Sequence, residues 1–212
     1  MNKDVPAEVY KNIFAMFGYR GVKTEQTPDM RKFQEDMASQ EYTVISGTRD
    51  IEVNSADGVE IKNIGVVVVQ FNENSLKGLK TPAFKKVLQD TTKTLDKGNH
   101  ELITVTEQPL NTHLRKAVRE FTRDARYHIE NYSYHKFIIE FPKHELMDKH
   151  EIIPSAELDK LLFTLKTQKS KLPKILSHDT AIVWIGARSG QVVRIHRTSE
   201  TAGTAIVYRV VK

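Results

Sequence analysis

The 212-residue chain is 39% apolar, enough for a substantial core, and has no cysteine, which excludes disulfides, thiolate metal ligands and cysteine nucleophiles together. Its 32 Lys and Arg against 27 Asp and Glu give a net charge of +5, placed unevenly: Lys166 to Lys212 hold nine basic and two acidic residues, a local +7 that leaves the first 165 residues at −2. Such a basic tail is either the footprint of a polyanion or acidic protein partner, or a solvated face. Met1 to Asp4 begin no apolar stretch of signal-peptide length, and the longest aliphatic run, Gly65 to Val69, is too short to span a bilayer. A soluble, intracellular chain without a membrane partner is expected.

Asp4 and Pro6 are a helix start signal, and Val9, Ile13, Phe14 and Phe17 form one apolar stripe ending at Gly18. Thr27 and Pro28 repeat the signal before Met30, Phe33 and Met37. The period then changes. Tyr42 to Ile45 predicts a strand, Ile51 to Val53 and Val59 to Ile61 predict a hairpin across Ala56, Asp57 and Gly58, and Ile64 to Phe71 reads as a strand buried on both faces. A third helix is expected from Thr81 and Pro82 through Phe84, Val87, Leu88, Thr91 and Leu95, stopped at Lys97, Gly98 and Asn99. Leu102 to Thr106 predicts the next strand, Leu110 to Ala125 a fourth helix with Leu114, Val118 and Phe121 on one face, and Tyr134 to Phe141 another strand. Strands alternating with helices argue for an α/β domain whose mixed sheet is covered by helices.

Pro142 ends that pattern, so the domains are placed at 1–141 and 142–212. The second holds a short segment Lys143 to Ile153, a helix Ser155 to Leu165 with Leu158, Leu161, Leu162 and Leu165 apolar, a basic connector Lys166 to Lys174, and a terminal hairpin. In that hairpin, Gln191 to Lys212, two alternating runs flank a polar turn bearing Ser199, Glu200, Thr201 and Gly203. Val193, Ile195 and Arg197 fall on one face and Val192, Arg194 and His196 on the other, leaving one face mixed and basic.

Candidate chemistry is sparse. Asp57, Glu60 and Lys62 have the residue types with which a Mg²⁺-dependent nuclease of restriction-endonuclease type holds a cation and meets a phosphate, but the spacing is loose, and the solvent-exposed face of an edge hairpin is the better explanation of the charges. His144, Glu145, Asp148 and His150 lack the four-residue histidine spacing of a helical zinc site. Gly186, Ala187, Arg188, Ser189 and Gly190 lack the Gly-Lys-Ser/Thr ending of a phosphate loop, and Ser199 near His196 has no nucleophile elbow. No active site, metal or cofactor is expected from these residues.

Gly190, Gln191, Val192, Val193, Ile195, Arg197, then Ser199, Glu200, Thr201, Ala202 and Gly203, then Tyr208 and Arg209, resemble the signature of the fifth subunit shared by eukaryotic nuclear RNA polymerases, whose C-terminal module is similar to the archaeal H subunit of RNA polymerase. His144, Glu145, Leu146 and His150 resemble the segment entering that module, Leu172, Pro173 and Ile175 its Leu-Pro-x-Ile step, and Asp179 and Gly186 frame its next element. Before Phe141 the similarity is one of pattern: Phe17, Gly18 and Tyr19, the strand at Val66 to Phe71, and the strand at Leu102 to Thr106. Three positions depart from the family: Asp-Pro is Asp179-Thr180, the aromatic pair before the glycine is Trp184-Ile185, and Arg-Pro-Ser is Arg197-Thr198-Ser199. Val183-Trp184-Ile185-Gly186 is similar to copies carried by large nucleocytoplasmic DNA viruses.

The resemblance implies a noncatalytic subunit of a multisubunit DNA-directed RNA polymerase. It implies an N-terminal jaw domain with restriction-endonuclease-like topology along downstream duplex DNA, and a small α+β assembly module, ending in the hairpin, that docks on the largest subunit and its neighbours. Transcription factors are further expected partners; the expected location is the nucleus or, for a virus-encoded copy, the cytoplasmic viral factory and virion. Docking falls to Gln191, Arg197, Ser199, Glu200, Thr201, Gly203, Tyr208 and Arg209, with Arg197 and Glu200 either facing the partner or bracing the turn. DNA-proximal candidates are Lys77, Lys80, Lys85 and Lys86 near the third helix and Arg115, Lys116 and Arg119 on the fourth.

Overall fold

Two four-stranded sheets organise the chain, in a computed structural model that describes residues 5–39, 42–55, 58–71, 81–93, 100–122, 127–199 and 203–212. Contacts divide it into two units, one of residues 1–51 and 62–139, the other of residues 52–61 and 140–212.

In the first unit, α1 (Val5–Tyr19) buries Val9, Ile13, Met16 and Phe17. Tyr10 of α1 stacks on Phe33 of α2 (Met30–Ser39) with ring centroids 4.6 Å apart. Asp29, one residue after the expected Thr27-Pro28 start, caps α2: its carboxylate accepts from the amides of Arg31 and Lys32 at 2.9 and 3.2 Å. The sheet runs β1-β2-β3-β4, with β1 at Tyr42–Ser55, β2 at Gly58–Phe71, β3 at His100–Thr106 and β4 at Tyr127–Ser133. β2 pairs parallel with β3, and β3 parallel with β4. α3 (Thr81–Lys93) and α4 (Thr112–Thr122) make the two crossovers and share one face, where Phe84, Leu88, Leu114 and Ala117 meet Val67, Val69, Phe71 and Leu102. Asn111 caps α4 by accepting from the Leu114 amide at 2.9 Å. On the opposite face Gln70 donates to the Pro6 carbonyl at 2.8 Å, which places α1 there.

Three sequence expectations change. The short strands expected at Tyr42 to Ile45 and Ile51 to Val53 are one 14-residue strand, in which Arg49 continues the buried side between exposed Thr48 and Asp50, and those at Val59 to Ile61 and Ile64 to Phe71 are another, exposed up to Asn63 and buried from Ile64. The strand expected at Tyr134 to Phe141 is absent; β4 lies seven residues earlier. Tyr134 and Phe137, both buried, are three residues apart across a 3₁₀ turn at Tyr134–Lys136, while Ile138 and Ile139 are exposed. Tyr134 donates to the Phe71 carbonyl, and Asn12 donates to that of Phe137 at 2.8 Å, so this apolar run seals the end of the unit rather than extending its sheet.

The second unit carries a sheet of order β5-β7-β8-β6, with β5 at Lys149–Ile152, β6 at Lys174–Ile175, β7 at Val192–Ser199 and β8 at Gly203–Val211. β7 pairs antiparallel with β8 and with β5, and β6 parallel with β8. Both faces are covered. α5 (Ser155–Thr164) lays Leu158, Leu161 and Leu162 against Val192, Ile153 and Leu172, while α6 (Thr180–Ile185) places Ile182 against Val193, Ile195 and Val211. Asp179 caps α6, accepting from the Ala181 amide at 3.0 Å, and Gly186 ends it at φ 65, where a side chain would be strained.

Candidate functional site

The hairpin residues singled out in the sequence have definite local jobs. Gln191 accepts from the Arg188 amide through its side-chain oxygen at 2.7 Å, and Gly190, at φ 86, donates to the Val211 carbonyl at 2.9 Å. Together they lock the turn that launches β7. Tyr208 packs on the α5 side of the sheet opposite Arg194. Arg209 donates to the Lys174 carbonyl at 3.2 Å, tying β8 to the edge strand β6. Arg197 lies 3.4 Å from Asp148 yet its side chain stays 62% exposed, so it keeps most of its hydration and its charge remains available. Gly203, at φ 69, faces Ser199 across the ladder; Glu200, Thr201 and Ala202 lie outside the described residues.

Around them runs a surface ion-pair network that sequence reasoning missed. Glu151 of β5 meets Lys149 at 2.6 Å and His196 at 3.1 Å, and Arg194 of β7 bonds Glu157 of α5. The hydrogen bond from Lys149, followed by that from His196, lowers the Glu151 pKa. Cross-strand placement brings these groups together, since Glu151 registers with Arg194 and Lys149 with His196.

A second network lies inside the first unit. Arg20, just beyond α1, contacts Glu101 of β3 at 2.5 Å and Glu130 of β4 at 3.0 Å, and Arg49 of β1 contacts Glu101 at 2.7 Å. The Arg20 and Glu101 side chains are 0% exposed. Burial alone pushes the Glu130 carboxyl up; the Arg20 charge and a hydrogen bond from His128 outweigh it and hold the group well below the usual carboxylate range. Burial, with Glu130 alongside, pushes the Tyr132 hydroxyl up. The signal available in sequence was a glutamate at the head of an apolar strand, between His100 and Leu102.

The DNA-proximal candidates separate. Lys85 pairs with Glu120 at 2.5 Å, bridging α3 and α4, and Arg115 donates to the Leu110 carbonyl at 2.7 Å. Lys86, Lys116 and Arg119 are exposed and, among the described residues, have no carboxylate partner; Lys77 and Lys80 lie outside the described residues. Of the nuclease-like set, Glu60 and Lys62 are exposed on β2, and Asp57 lies outside the described residues. His144 accepts from the Leu146 amide at 3.3 Å and His150 approaches the Asp148 carbonyl at 2.7 Å, so both serve their own loop. Among the described residues no three His, Asp or Glu side chains are grouped to hold a metal ion, and no helix is long and apolar enough to cross a membrane.

A family model described as RNA polymerase Rpb5, C-terminal domain, matches residues 139–211. The subunit Rpo5 of a DNA-directed RNA polymerase of Methanocaldococcus jannaschii is 46% identical over 68 residues, 32% of this chain and 87% of the archaeal one. The rpabc1 subunit of Dictyostelium discoideum DNA-directed RNA polymerases I, II and III is 31% identical over 114 residues, 54% of this chain and 58% of its own length. The DNA-directed RNA polymerase RPB5 homolog of African swine fever virus (strain Badajoz 1971 Vero-adapted) is 34% identical over 123 residues, 56% of this chain and 60% of the viral one. With an archaeal relative matched over most of its length, the chain belongs to the Rpb5 family, through a C-terminal domain built on the β5-β7-β8-β6 sheet.

Proposed function

We propose that the protein is a noncatalytic subunit of a multisubunit DNA-directed RNA polymerase, with residues 142–212 as an assembly domain on the largest subunit and residues 1–141 as a jaw beside downstream DNA. The observation that carries this reading is the family match over residues 139–211, which falls on a unit with its own sheet and two-sided core. Relatives named as polymerase subunits in an archaeon, a eukaryote and a virus support it. In this reading Gln191, Arg209 and Tyr208 hold the shape of the hairpin and Arg197 offers it a rim charge, which favours specificity over affinity. The jaw carries a restriction-endonuclease-like arrangement with no reaction of its own. Lys86, Lys116 and Arg119 meet phosphates without reading sequence, and neutralising any one of them reduces the salt slope of DNA binding by about 0.9. The protein works in the nucleus or, if a virus encodes it, in the viral factory and virion, where transcription factors reach it as part of the enzyme.

The test is isolation of native complexes through a tag on the chain, with mass spectrometry of the partners. The largest polymerase subunit is expected in equal amount to the tagged chain. A chain recovered without any polymerase subunit overturns the proposal.

A further inference from the structure

The basic charge of the C-terminal unit is not spread evenly over its surface. Lys149, Arg194 and Arg197 all sit beside carboxylates. From Lys160 to His178, by contrast, the chain holds five lysines and no Asp or Glu. All five, Lys160, Lys166, Lys169, Lys171 and Lys174, are exposed, and among the described residues none pairs with a carboxylate. The same stretch exposes apolar groups: Phe163 is 87% exposed, and Leu165 and Leu176 are exposed too. Phe163 stands three residues from Lys160 on α5, hence on the same side of that helix, away from the Leu158, Leu161 and Leu162 stripe that meets the sheet.

Lys166 adds an independent sign. It is the one non-glycine described residue with positive φ, 48, at the position after α5 where glycine is favoured. Its amide donates to the Phe163 carbonyl at 3.1 Å, closing the helix, so the strained backbone is kept while the lysine side chain stays in solvent.

We infer that the Lys160–Leu176 face is a docking surface for an acidic protein segment carrying apolar side chains, which would bind along the α5 C-terminus and the lysine connector. Charge complementarity selects an acidic partner, and exposed Phe163, Leu165 and Leu176 select one with side chains to cover them. Duplex DNA would satisfy the lysines and leave these three groups in water, and a single aromatic is too little for a base-stacking platform. The chemistry of the surface stands by itself; that the segment belongs to a polymerase subunit or a factor bound to it rests on the proposed function.

The experiment is fluorescence anisotropy with the full chain and three labelled probes: a short peptide of Asp and Glu interspersed with Leu and Phe, the same peptide with every Leu and Phe replaced by Ser, and a random-sequence DNA duplex. The first peptide is expected to bind best. Lys169→Glu with Lys171→Glu weakens it by about tenfold or more, charge reversal at a docking surface being strongly unfavourable. Phe163→Ser weakens the first peptide and leaves the serine peptide unchanged. Lys166→Gly raises the thermal midpoint while weakening binding, which a merely structural lysine would not do. Tighter binding of DNA than of the first peptide at equal salt, equal binding of the two peptides, or unchanged binding by the variants overturns the inference. Peptide binding without co-purifying polymerase would overturn the proposed function and leave the surface standing; co-purification without peptide binding would do the reverse.

Discussion

The two units handle charge in opposite ways. The N-terminal sheet buries Arg20 and Glu101 completely and surrounds them with Arg49, Glu130 and His128, so each charge depends on its neighbours for the solvation that water would give. The C-terminal sheet keeps its pairs at the surface, where Lys149 and Arg197 remain hydrated. The buried charge of the first unit is therefore bound up with folding, and the surface charge of the second is available to a partner.

The sharpest way to break the contrast is to remove one buried partner. Glu101→Ala takes a buried carboxylate from both Arg20 and Arg49, leaving Glu130 beside Arg20, and is expected to cost about 3–5 kcal/mol in urea unfolding, far more than any surface pair. A loss under about 1 kcal/mol would mean that water reaches the site and the distinction fails.

Acid sharpens it further. The folded-state pKa of Glu130 lies below the ordinary value of 4.5, so its stabilisation is present above that value and is lost as pH falls from about 4.5 toward the depressed folded pKa. Glu130→Gln is expected to be less stable than wild type at pH 7 and to flatten this acid limb in thermal unfolding. An unchanged acid limb would contradict the assignment.

Within the C-terminal unit, Asp179→Ala removes the cap of α6 and should cost about 1 kcal/mol, read by denaturant unfolding of the full chain. Arg197→Ala, breaking an exposed pair, should change stability by no more than about 0.5 kcal/mol while weakening recovery of polymerase subunits. Unfolding on Arg197→Ala would make the residue a brace of the turn instead of a contact.

Elements were legible in the sequence where a periodic apolar pattern records them. α1 was readable because Val9, Ile13 and Phe17 repeat at helical spacing, and the terminal hairpin because Val193 and Ile195 alternate with Arg194 and His196 around a glycine turn. β4 was not, because the residues of Tyr127–Ser133 that satisfy the sheet include His128, Glu130 and Asn131; Asn131, for example, donates to the Thr104 hydroxyl at 2.9 Å. Polarity there is paired only in three dimensions, so no periodic pattern records it. Glu101 was invisible as a core residue for the same reason, its partners Arg20 and Arg49 being remote in sequence. At the candidate docking site the family signature pointed to the hairpin, and only the structure distinguished residues such as Gln191 and Arg209, committed to internal bonds, from the exposed lysines of the connector.

The central claim is that this chain works inside a polymerase, held by its C-terminal domain. Lysine cross-linking of the native complex followed by mass spectrometry tests it most directly. Lysines between Lys143 and Lys212 are predicted to cross-link to the largest polymerase subunit, whereas a full set of cross-links from this region with none to any polymerase subunit would contradict the account.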